Sequence, residues 1–213
     1  MKLITKNPEP QELLDFKAKA NDDWQPTYGG LSGALKRLLH QRLLEEQGCL
    51  CCYCGRRVDP ASSHIEHFRP QTPFDQYQLA YDNLFASCQR ETQPGEPLHC
   101  GKLKNDWFDP LLLISPLQPD CETRFRFTAD GGIHPAQVAY TAATETREHL
   151  GLNISKLQRL RAGAIDAVIN DLPSLTDEDL RRLTVALMQR DAAGKFPEFC
   201  LPVVFVLRGL LPP

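Results

Sequence analysis

Half of the cysteines in this chain lie within six residues of one another, and this crowding limits the possible folds more than any other feature. The eight cysteines occupy positions 49, 51, 52, 54, 88, 100, 121 and 200. In a reducing compartment, thiols are poor candidates for disulfide bonds and good metal ligands. Because a structural zinc ion takes four ligands, the chain is expected to fold around a metal centre.

The spacing of the cysteines predicts which four bind the ion. Cys51 and Cys54 have the Cys-x-x-Cys spacing of a zinc knuckle, and Gly55 gives the backbone freedom for the turn. Cys88 and Cys100 flank a loop rich in Gly, Pro and Gln and form the natural second pair. We predict one structural Zn²⁺ held by these four cysteines.

Other thiols and one imidazole compete for these positions. Cys49 and Cys52 are alternative ligands in the first pair, and His99 is an alternative to Cys100. The opposing interpretation is that the cysteines bind no metal and pack as small apolar residues. Two isolated cysteines are predicted to be plain core residues: Cys121 and Cys200.

Composition excludes several classes of protein. Apolar residues make up 42% and charged residues 24% of the 213, which is ordinary for a globular protein and unlike a disordered chain. The net charge of −3 provides no global attraction for nucleic acid or an anionic membrane. The apolar stretches fall short of the roughly 20 residues of a membrane span, and the N-terminus lacks the apolar run of a signal peptide. We expect a cytoplasmic protein without a membrane partner.

Periodicity and turn residues predict an α+β fold. An amphipathic helix is expected from a cap at Ser32 to a stop at Gly48, and strands are expected over 63–68 and 84–87. A hairpin arm over 124–128 is predicted to turn at 130–132. The helices expected beyond it cover 136–150, 153–171 with a cap at Asn153, and 176–192 with a capping box from Thr176 to Asp179. This pattern predicts an N-terminal helical segment (1–48), a zinc-stapled core (49–110) and a connector hairpin with a helical region (111–213).

Candidate catalytic residues lie between the two cysteine pairs, in the run His64-Ile65-Glu66-His67. If this run is extended, His64 and Glu66 share one face and can both reach one cation. His67 has a side chain that titrates near neutral pH, which suits proton removal from water.

Several motifs resemble those of the HNH endonucleases: Cys51-x-Tyr-Cys54-Gly, Ile65-Glu66-His67-x-x-Pro70, Asp82-Asn83-Leu84 and Cys88…Cys100-x-x-x-Lys104. A narrower resemblance is to the PtuB-type HNH effectors of Septu and retron anti-phage systems. Its motifs are His64 to Gln71, Asn83 to Cys88, His99 to Gly101, Ser115 to Leu117 and on to Arg126-Phe127, Leu150 to Asn153, and Phe196 to Phe199.

The resemblance implies a ββα-metal core that cleaves nucleic acid with one divalent cation, Mg²⁺ or Mn²⁺. It implies that Glu66 binds this cation, that His67 is the general base and that Asn83 braces the catalytic loop by hydrogen bonds. It also implies an ABC-type, PtuA-like ATPase partner that holds the nuclease inactive until infection, and, in retron systems, the reverse transcriptase with its RNA and DNA.

One position departs from the family pattern. Many members have a metal-binding Asn directly after the last cysteine, whereas this chain has Gly101, which has no side chain to bind metal. Asn105, Asp106 or His64 could replace it, and the sequence does not choose among them.

Some polar residues have two interpretations. Arg69, Lys102 and Lys104 either hold flanking phosphates or are solvated surface charges. The alternative function is a noncatalytic zinc module that binds nucleic acid or a protein. The Glu66-His67 pair favours the enzyme, because a binding module needs no acid beside a base. The other histidines are assigned to surface or packing roles: His40, His134 and His149.

Overall fold

The computed structural model of the chain describes residues 1–170 and 176–212. Within them the fold is α+β, as predicted, with seven α-helices and two small antiparallel sheets. The helices are α1 Gln11–Lys17, α2 Gly33–Glu46, α3 Cys100–Lys104, α4 Thr141–His149, α5 Ser155–Ile169, α6 Asp177–Leu187 and α7 Cys200–Leu210. The strands are β1 Ser63–His67, β2 Leu84–Cys88, β3 Phe125–Phe127 and β4 Ile133–Pro135.

Helix α2 forms where the apolar periodicity predicted it. The side chain of Ser32 accepts a hydrogen bond from the Leu35 amide at 3.1 Å and so caps the helix. Two leucines of this helix, Leu39 and Leu43, are fully buried in the core. The chain leaves the helix through Gly48, whose φ of 58° is costly for residues with a side chain. A Cβ there would also collide with the ring of Phe196.

Strands β1 and β2 pair antiparallel in a register that runs from Ser63 opposite Cys88 to His67 opposite Leu84. Both strands lie within one residue of their predicted bounds. Every residue of β2 is buried, so this is the more deeply buried strand of the hairpin. Helix α3 follows β2 after a loop, and its first residue is Cys100. The hairpin therefore brings both cysteine pairs close to the candidate catalytic run.

The predicted second hairpin is present as β3 and β4, but the helices after it begin later than expected. The Ala136 amide donates to the Arg124 carbonyl at 2.9 Å, which extends the hairpin, so α4 begins at Thr141. Asn153 does not cap α5, because its side chain accepts a hydrogen bond from the Ile133 amide at 2.9 Å. Helix α5 instead begins at Ser155, after Ile154.

The last two helices confirm one prediction and add one element. The capping box of Thr176 and Asp179 starts α6 as predicted. The helix ends at Leu187, short of 192, and the chain then turns around the Asp191 carboxylate. The predicted end of the preceding helix at Asp171 lies outside the described residues. Two helices, α1 and α7, were not predicted.

The main hydrophobic core takes residues from all three predicted segments, whose boundaries stay a prediction. A smaller core joins α5, α6 and α7 through Ile165, Leu180, Val203 and Leu207. Leu183 and Leu187 of α6 pack against this smaller core. None of the helices in the described ranges is both long and apolar enough to cross a lipid bilayer.

Gly131 couples the second hairpin to α5, and this contact generates a test of the fold. The residue has a φ of 80°, and an added Cβ would lie 2.8 Å from the backbone nitrogen of Ala162. We expect Gly131→Ala to lower the free energy of unfolding by about 2 kcal/mol or more, because both the backbone and the helix contact are strained. Denaturant unfolding followed by circular dichroism measures the change.

Gly163 is the matched control, since it is exposed in the interior of α5 and a Cβ there meets no atom within 4 Å. Gly163→Ala should raise stability by about 0.5–1 kcal/mol through helix propensity. Equal stability of Gly131→Ala and the wild type would contradict the proposed packing of the hairpin on α5.

Candidate active site and metal centre

Four buried thiols converge on one point beneath the β1–β2 hairpin. Cys51 and Cys54 lie in the loop that joins α2 to β1, Cys88 ends β2 and Cys100 begins α3. Their sulfur atoms all lie within 4.8 Å of one another, and the Cys54 and Cys88 sulfurs are 3.8 Å apart. A tetrahedral ion with Zn–S bonds of about 2.3 Å places its sulfurs about 3.8 Å apart. These four residues, the four-cysteine cluster, can therefore hold a Zn²⁺ ion.

The ionisation of these thiols supports the same conclusion. Burial opposes charge on Cys51, but hydrogen bonds from the neighbouring thiols bring its pKa well below the ordinary value. Burial and the hydrogen bond to Cys51 raise the pKa of Cys100 well above the ordinary value. Cys51 can thus carry a negative charge while Cys88 and Cys100, whose pKa values are raised, keep their protons. Ionising all four at such short distances requires a cation among them.

The alternative ligands lie outside this group. Cys49 is half-buried and Cys52 is buried, and neither belongs to the converging set. His99 is fully buried, with its Nδ1 3.2 Å from the Cys100 sulfur and 3.6 Å from the Cys88 sulfur. It contacts the sulfurs as a hydrogen-bonding neighbour and does not take the place of Cys100.

Glu66 has two oxygens with different surroundings. Its Oε1 accepts a hydrogen bond from the Tyr53 hydroxyl at 3.1 Å and forms an ion pair with the Lys104 ammonium group, also at 3.1 Å. Its Oε2 faces His64, whose Nε2 lies 3.5 Å away. As expected for alternate residues of a strand, His64 and Glu66 point to the same side of β1. One oxygen is anchored, and the other faces an imidazole.

Gly101 provides the space for this arrangement. A Cβ added at Gly101 would lie 2.7 Å from Cδ of Glu66 and 3.1 Å from Nε2 of His64. The backbone of α3 therefore packs directly against the Glu66 carboxyl group. This close contact is the physical reason that glycine fits where the family pattern has Asn.

His67 lies at the end of β1 and is held from two directions. Its Nε2 lies 3.1 Å from the carbonyl oxygen of Gln78. The ring packs edge-on against Tyr28, with centroids 4.5 Å apart. Burial lowers the pKa of His67, partly offset by the hydrogen bond to Gln78. Because a carbonyl only accepts, Nε2 carries the proton and Nδ1 keeps a free lone pair in the neutral ring.

Asn83 uses its whole side-chain amide to fasten the segment that follows β1. Its Oδ1 accepts a hydrogen bond from the Arg69 amide at 2.7 Å. Its Nδ2 donates to the carbonyl oxygens of Arg69 at 3.0 Å and Tyr77 at 3.1 Å. These bonds tie Arg69 to the segment that contains Gln78, the partner of His67.

The remaining candidates separate into exposed and buried residues. Asn105 and Asp106 are exposed at the end of α3, and within the described residues neither forms a hydrogen bond through its side chain to Glu66 or His64. Lys102 is also exposed. Lys104 is not available to a phosphate, since its side chain is 1% exposed and its ammonium group also donates to the His67 carbonyl at 3.1 Å.

Arg69 and the other histidines have simpler environments. The guanidinium group of Arg69 stacks over the Tyr77 ring, 4.1 Å from its centroid. His40 bonds to the Ser63 hydroxyl at 2.8 Å and His149 stacks on Trp107, which agrees with the packing roles predicted for them. Cys121 and Cys200 are buried in the core, as predicted.

Sequence reasoning missed four residues that hold the candidate catalytic groups: Tyr53, Lys104 as a partner of Glu66, Tyr28 and Gln78. Tyr53 and Lys104 belong to motifs that had been noticed, the Cys-x-Tyr-Cys knuckle and the Cys-x-x-x-Lys segment. Tyr28 and Gln78 have no signal in the sequence, because only the tertiary fold brings them to His67.

Comparison with known proteins supports the resemblance drawn from the motifs. The chain is 28% identical to the "Retron Ec83 putative HNH endonuclease" of Escherichia coli, over 89% of this chain and 87% of the relative. It is 29% identical to the "Retron Vc95 putative HNH endonuclease" of Vibrio cholerae serotype O1 biovar El Tor, over 63% of this chain and 67% of the relative. No family model matches the chain. The two relatives confirm the resemblance to retron HNH endonucleases and support the interpretation of this chain as an endonuclease.

The four-cysteine cluster predicts one zinc ion per chain that is required for folding. We expect Cys51→Ser to reduce bound zinc to well below one equivalent and to lower the melting temperature, because the free energy of zinc binding at such a site contributes directly to the free energy of folding. Metal analysis of the purified protein and thermal unfolding measure both effects.

Cys49→Ser is the matched control, since this cysteine lies two residues away and outside the group. It should keep the full zinc content. The assignment is wrong if the wild type contains no zinc, or if both serine variants retain it equally.

Proposed function

We propose that the chain is a metal-dependent HNH endonuclease of the ββα-metal type, which hydrolyses phosphodiester bonds as an effector of anti-phage defence. The observation that carries the proposal is the environment of Glu66 and His67. Glu66 presents a carboxylate oxygen that faces the imidazole of His64, and His67 presents a neutral imidazole with a free Nδ1. Metal-assisted hydrolysis needs a cation ligand and a general base of these kinds.

The order of elements supports the ββα-metal assignment. Strands β1 and β2 pair antiparallel, and α3 follows and lies against the Glu66 carboxyl group through Gly101. The four-cysteine cluster joins the loop before β1, the end of β2 and the start of α3. A structural zinc ion at this point would hold all three elements of the unit in place.

Glu66 and His64 are the residues proposed to hold the catalytic cation. The anchored Oε1 fixes the orientation of the Glu66 carboxylate, which leaves Oε2 directed toward His64. A carboxylate with few other protein ligands suits Mg²⁺, which usually keeps several waters, and the added imidazole is also compatible with Mn²⁺. When bound, the cation neutralises charge on the scissile phosphate and on the departing oxygen. Asn105 and Asp106 are left out of this ligand set because they are exposed and make no bond to Glu66.

His67 is proposed as the general base. Its Nε2–H donates to the Gln78 carbonyl, so the ring cannot rotate freely and Nδ1 is the nitrogen that accepts a proton from water. The lowered pKa keeps the ring neutral at physiological pH. Asn83 contributes by position, because its three hydrogen bonds fix the segment that supplies the Gln78 carbonyl.

One observation favours the noncatalytic alternative. The buried ion pair between Lys104 and Glu66 is a contact that a purely structural carboxylate would make. A structural carboxylate, however, would be expected to have both oxygens anchored, whereas Oε2 of Glu66 faces only His64 at more than ordinary hydrogen-bond distance. Cleavage assays distinguish the two functions.

The biological setting of the proposal comes from the relatives. Both are named as retron proteins, which supports a role in retron defence. A reverse transcriptase with its RNA and DNA is implied by the resemblance of the motifs. The ABC-type ATPase partner and the Septu-type system rest on the resemblance of the motifs. Co-purification with the ATPase tests the partner.

The role of His67 generates the first test of this function. We expect His67→Ala to lower the cleavage rate by about 10²–10⁴-fold, because the general base is lost. The zinc content should be unchanged, because the substitution does not alter the four-cysteine cluster. Digestion of plasmid DNA and of RNA with Mg²⁺ or Mn²⁺ measures the rate.

His149→Ala serves as the control, since this histidine stacks on Trp107 and lies outside the site. In the wild type the acid limb of the pH–rate profile should lie below about pH 6.5, because the pKa of His67 is lowered from that ordinary value. Wild-type cleavage by His67→Ala would assign the base to another residue.

The proposed ligand set generates a second test. Glu66→Gln and His64→Ala should each require a higher Mg²⁺ or Mn²⁺ concentration for half-maximal cleavage, by about tenfold or more, with zinc content retained. Asn105→Ala and Asp106→Ala should match the wild type. A metal titration in which Asn105→Ala or Asp106→Ala is impaired and His64→Ala is normal would refute the set.

A further inference from the structure

An open groove of about 810 Å³ lies between the first half of α2 and β1. Three cationic side chains line it: Lys36, Arg37 and Arg90. Lys36 and Arg37 come from α2, and Arg90 comes from the segment after β2. No acidic side chain of the described residues lines the groove. In a chain with a net charge of −3, this is a local concentration of positive charge.

The three cations are free to bind an anion. Within the described part of the chain, none of them forms an ion pair. The guanidinium group of Arg90 donates to the Pro60 carbonyl at 2.8 Å, and the ammonium group of Lys36 lies over the Tyr28 ring, 4.9 Å from its centroid. Both contacts leave other N–H donors exposed to the groove. The first turn of α2 adds the positive end of a helix dipole.

The groove lies beside the proposed catalytic residues. His64 lines it, and its Nε2 faces Oε2 of Glu66. Tyr28 also lines it and packs edge-on against His67. A chain of phosphates lying in the groove would therefore pass the two residues that contact Glu66 and His67.

We propose that this groove binds the phosphodiester backbone of the substrate and leads one strand to Glu66 and His67. The inference rests on the proposed nuclease function and adds the path of the substrate. The contacts are to phosphates and select no base sequence. Local cations in this groove would also provide the affinity that the negative net charge of the whole chain does not.

Binding is tested in the His67→Ala background, so that the probe is not cut. The groove variant combines Lys36→Ala, Arg37→Ala and Arg90→Ala. The control variant removes three exposed cations of α5 and α6 and changes the net charge equally: Arg159→Ala, Arg181→Ala and Arg182→Ala. The probe is one labelled oligonucleotide sequence, used as single-stranded DNA, duplex DNA and RNA, and fluorescence anisotropy over a series of salt concentrations gives Kd. The three forms identify which phosphate backbone the groove prefers.

We expect the groove variant to raise Kd about tenfold or more and to reduce the slope of log K against log salt by roughly 2–3, because up to three phosphate contacts are lost. The control should stay within about twofold of its parent. A charge-retaining variant, Lys36→Arg with Arg37→Lys and Arg90→Lys, should keep most of the affinity, which separates lost charge from damage to the fold.

The proposal is overturned if the parent binds none of the three probes, or if groove and control variants have the same Kd and salt slope. Cleavage by the wild type with Mg²⁺ or Mn²⁺ is measured separately. Groove-dependent binding without any cleavage would refute the nuclease and keep the groove. Cleavage with groove-independent binding would refute the groove and keep the nuclease.

Discussion

The meeting of four thiols at one point is the contact on which the rest of the central unit depends. The unit has two short strands and a five-residue helix, which are too small to bury a core of their own. The thiols belong to the loop before β1, the last residue of β2 and the first residue of α3. A cation bound there would join these small elements to one another and would fix the angle at which α3 meets the hairpin. Cys100 and Gly101 are neighbours, so an ion held by the four thiols would also fix the backbone that packs against Glu66.

Local patterns predicted the parts of the fold that depend on local physics. The cap at Ser32, the capping box at Thr176 and the two central strands were correct, because local spacing determines them. The four cysteines converge in the structure, and zinc binding by them stays a prediction. Helix α7 was missed because it is apolar on almost every side, so it has no polar stripe from which to recognise a period. Asn153 was assigned as a cap because its side chain can cap a helix. It instead satisfies a backbone amide of β4, and only the tertiary fold decides between these two bonds.

The candidate site divides in the same way. Glu66 and His67, the residues proposed to carry the chemistry, could be singled out from sequence because an acid and an imidazole stand next to each other in a predicted strand. The residues that orient them could not, because they come from distant positions. The Lys104 side chain is buried against Glu66, and removing one partner of such a pair costs about 3–5 kcal/mol. Lys104, interpreted from sequence as either a phosphate contact or a solvated surface charge, is therefore committed to the interior. Among the described residues, the cations that line the groove beside α2 form no such ion pair.

The contact between Gly101 and the side chains of Glu66 and His64 also has a consequence for how such sites diverge. A Cβ at position 101 would meet the Glu66 carboxyl carbon at 2.7 Å and His64 Nε2 at 3.1 Å, so a larger residue there and the present placement of these two side chains exclude each other. A nitrogen or oxygen donor can thus be supplied from the strand or from the helix, but not from both. Among related chains, loss of the side chain after the last cysteine should be accompanied by gain of an imidazole two residues before the acid. Such an exchange moves a ligand from one secondary-structure element to another while the carboxylate keeps its place.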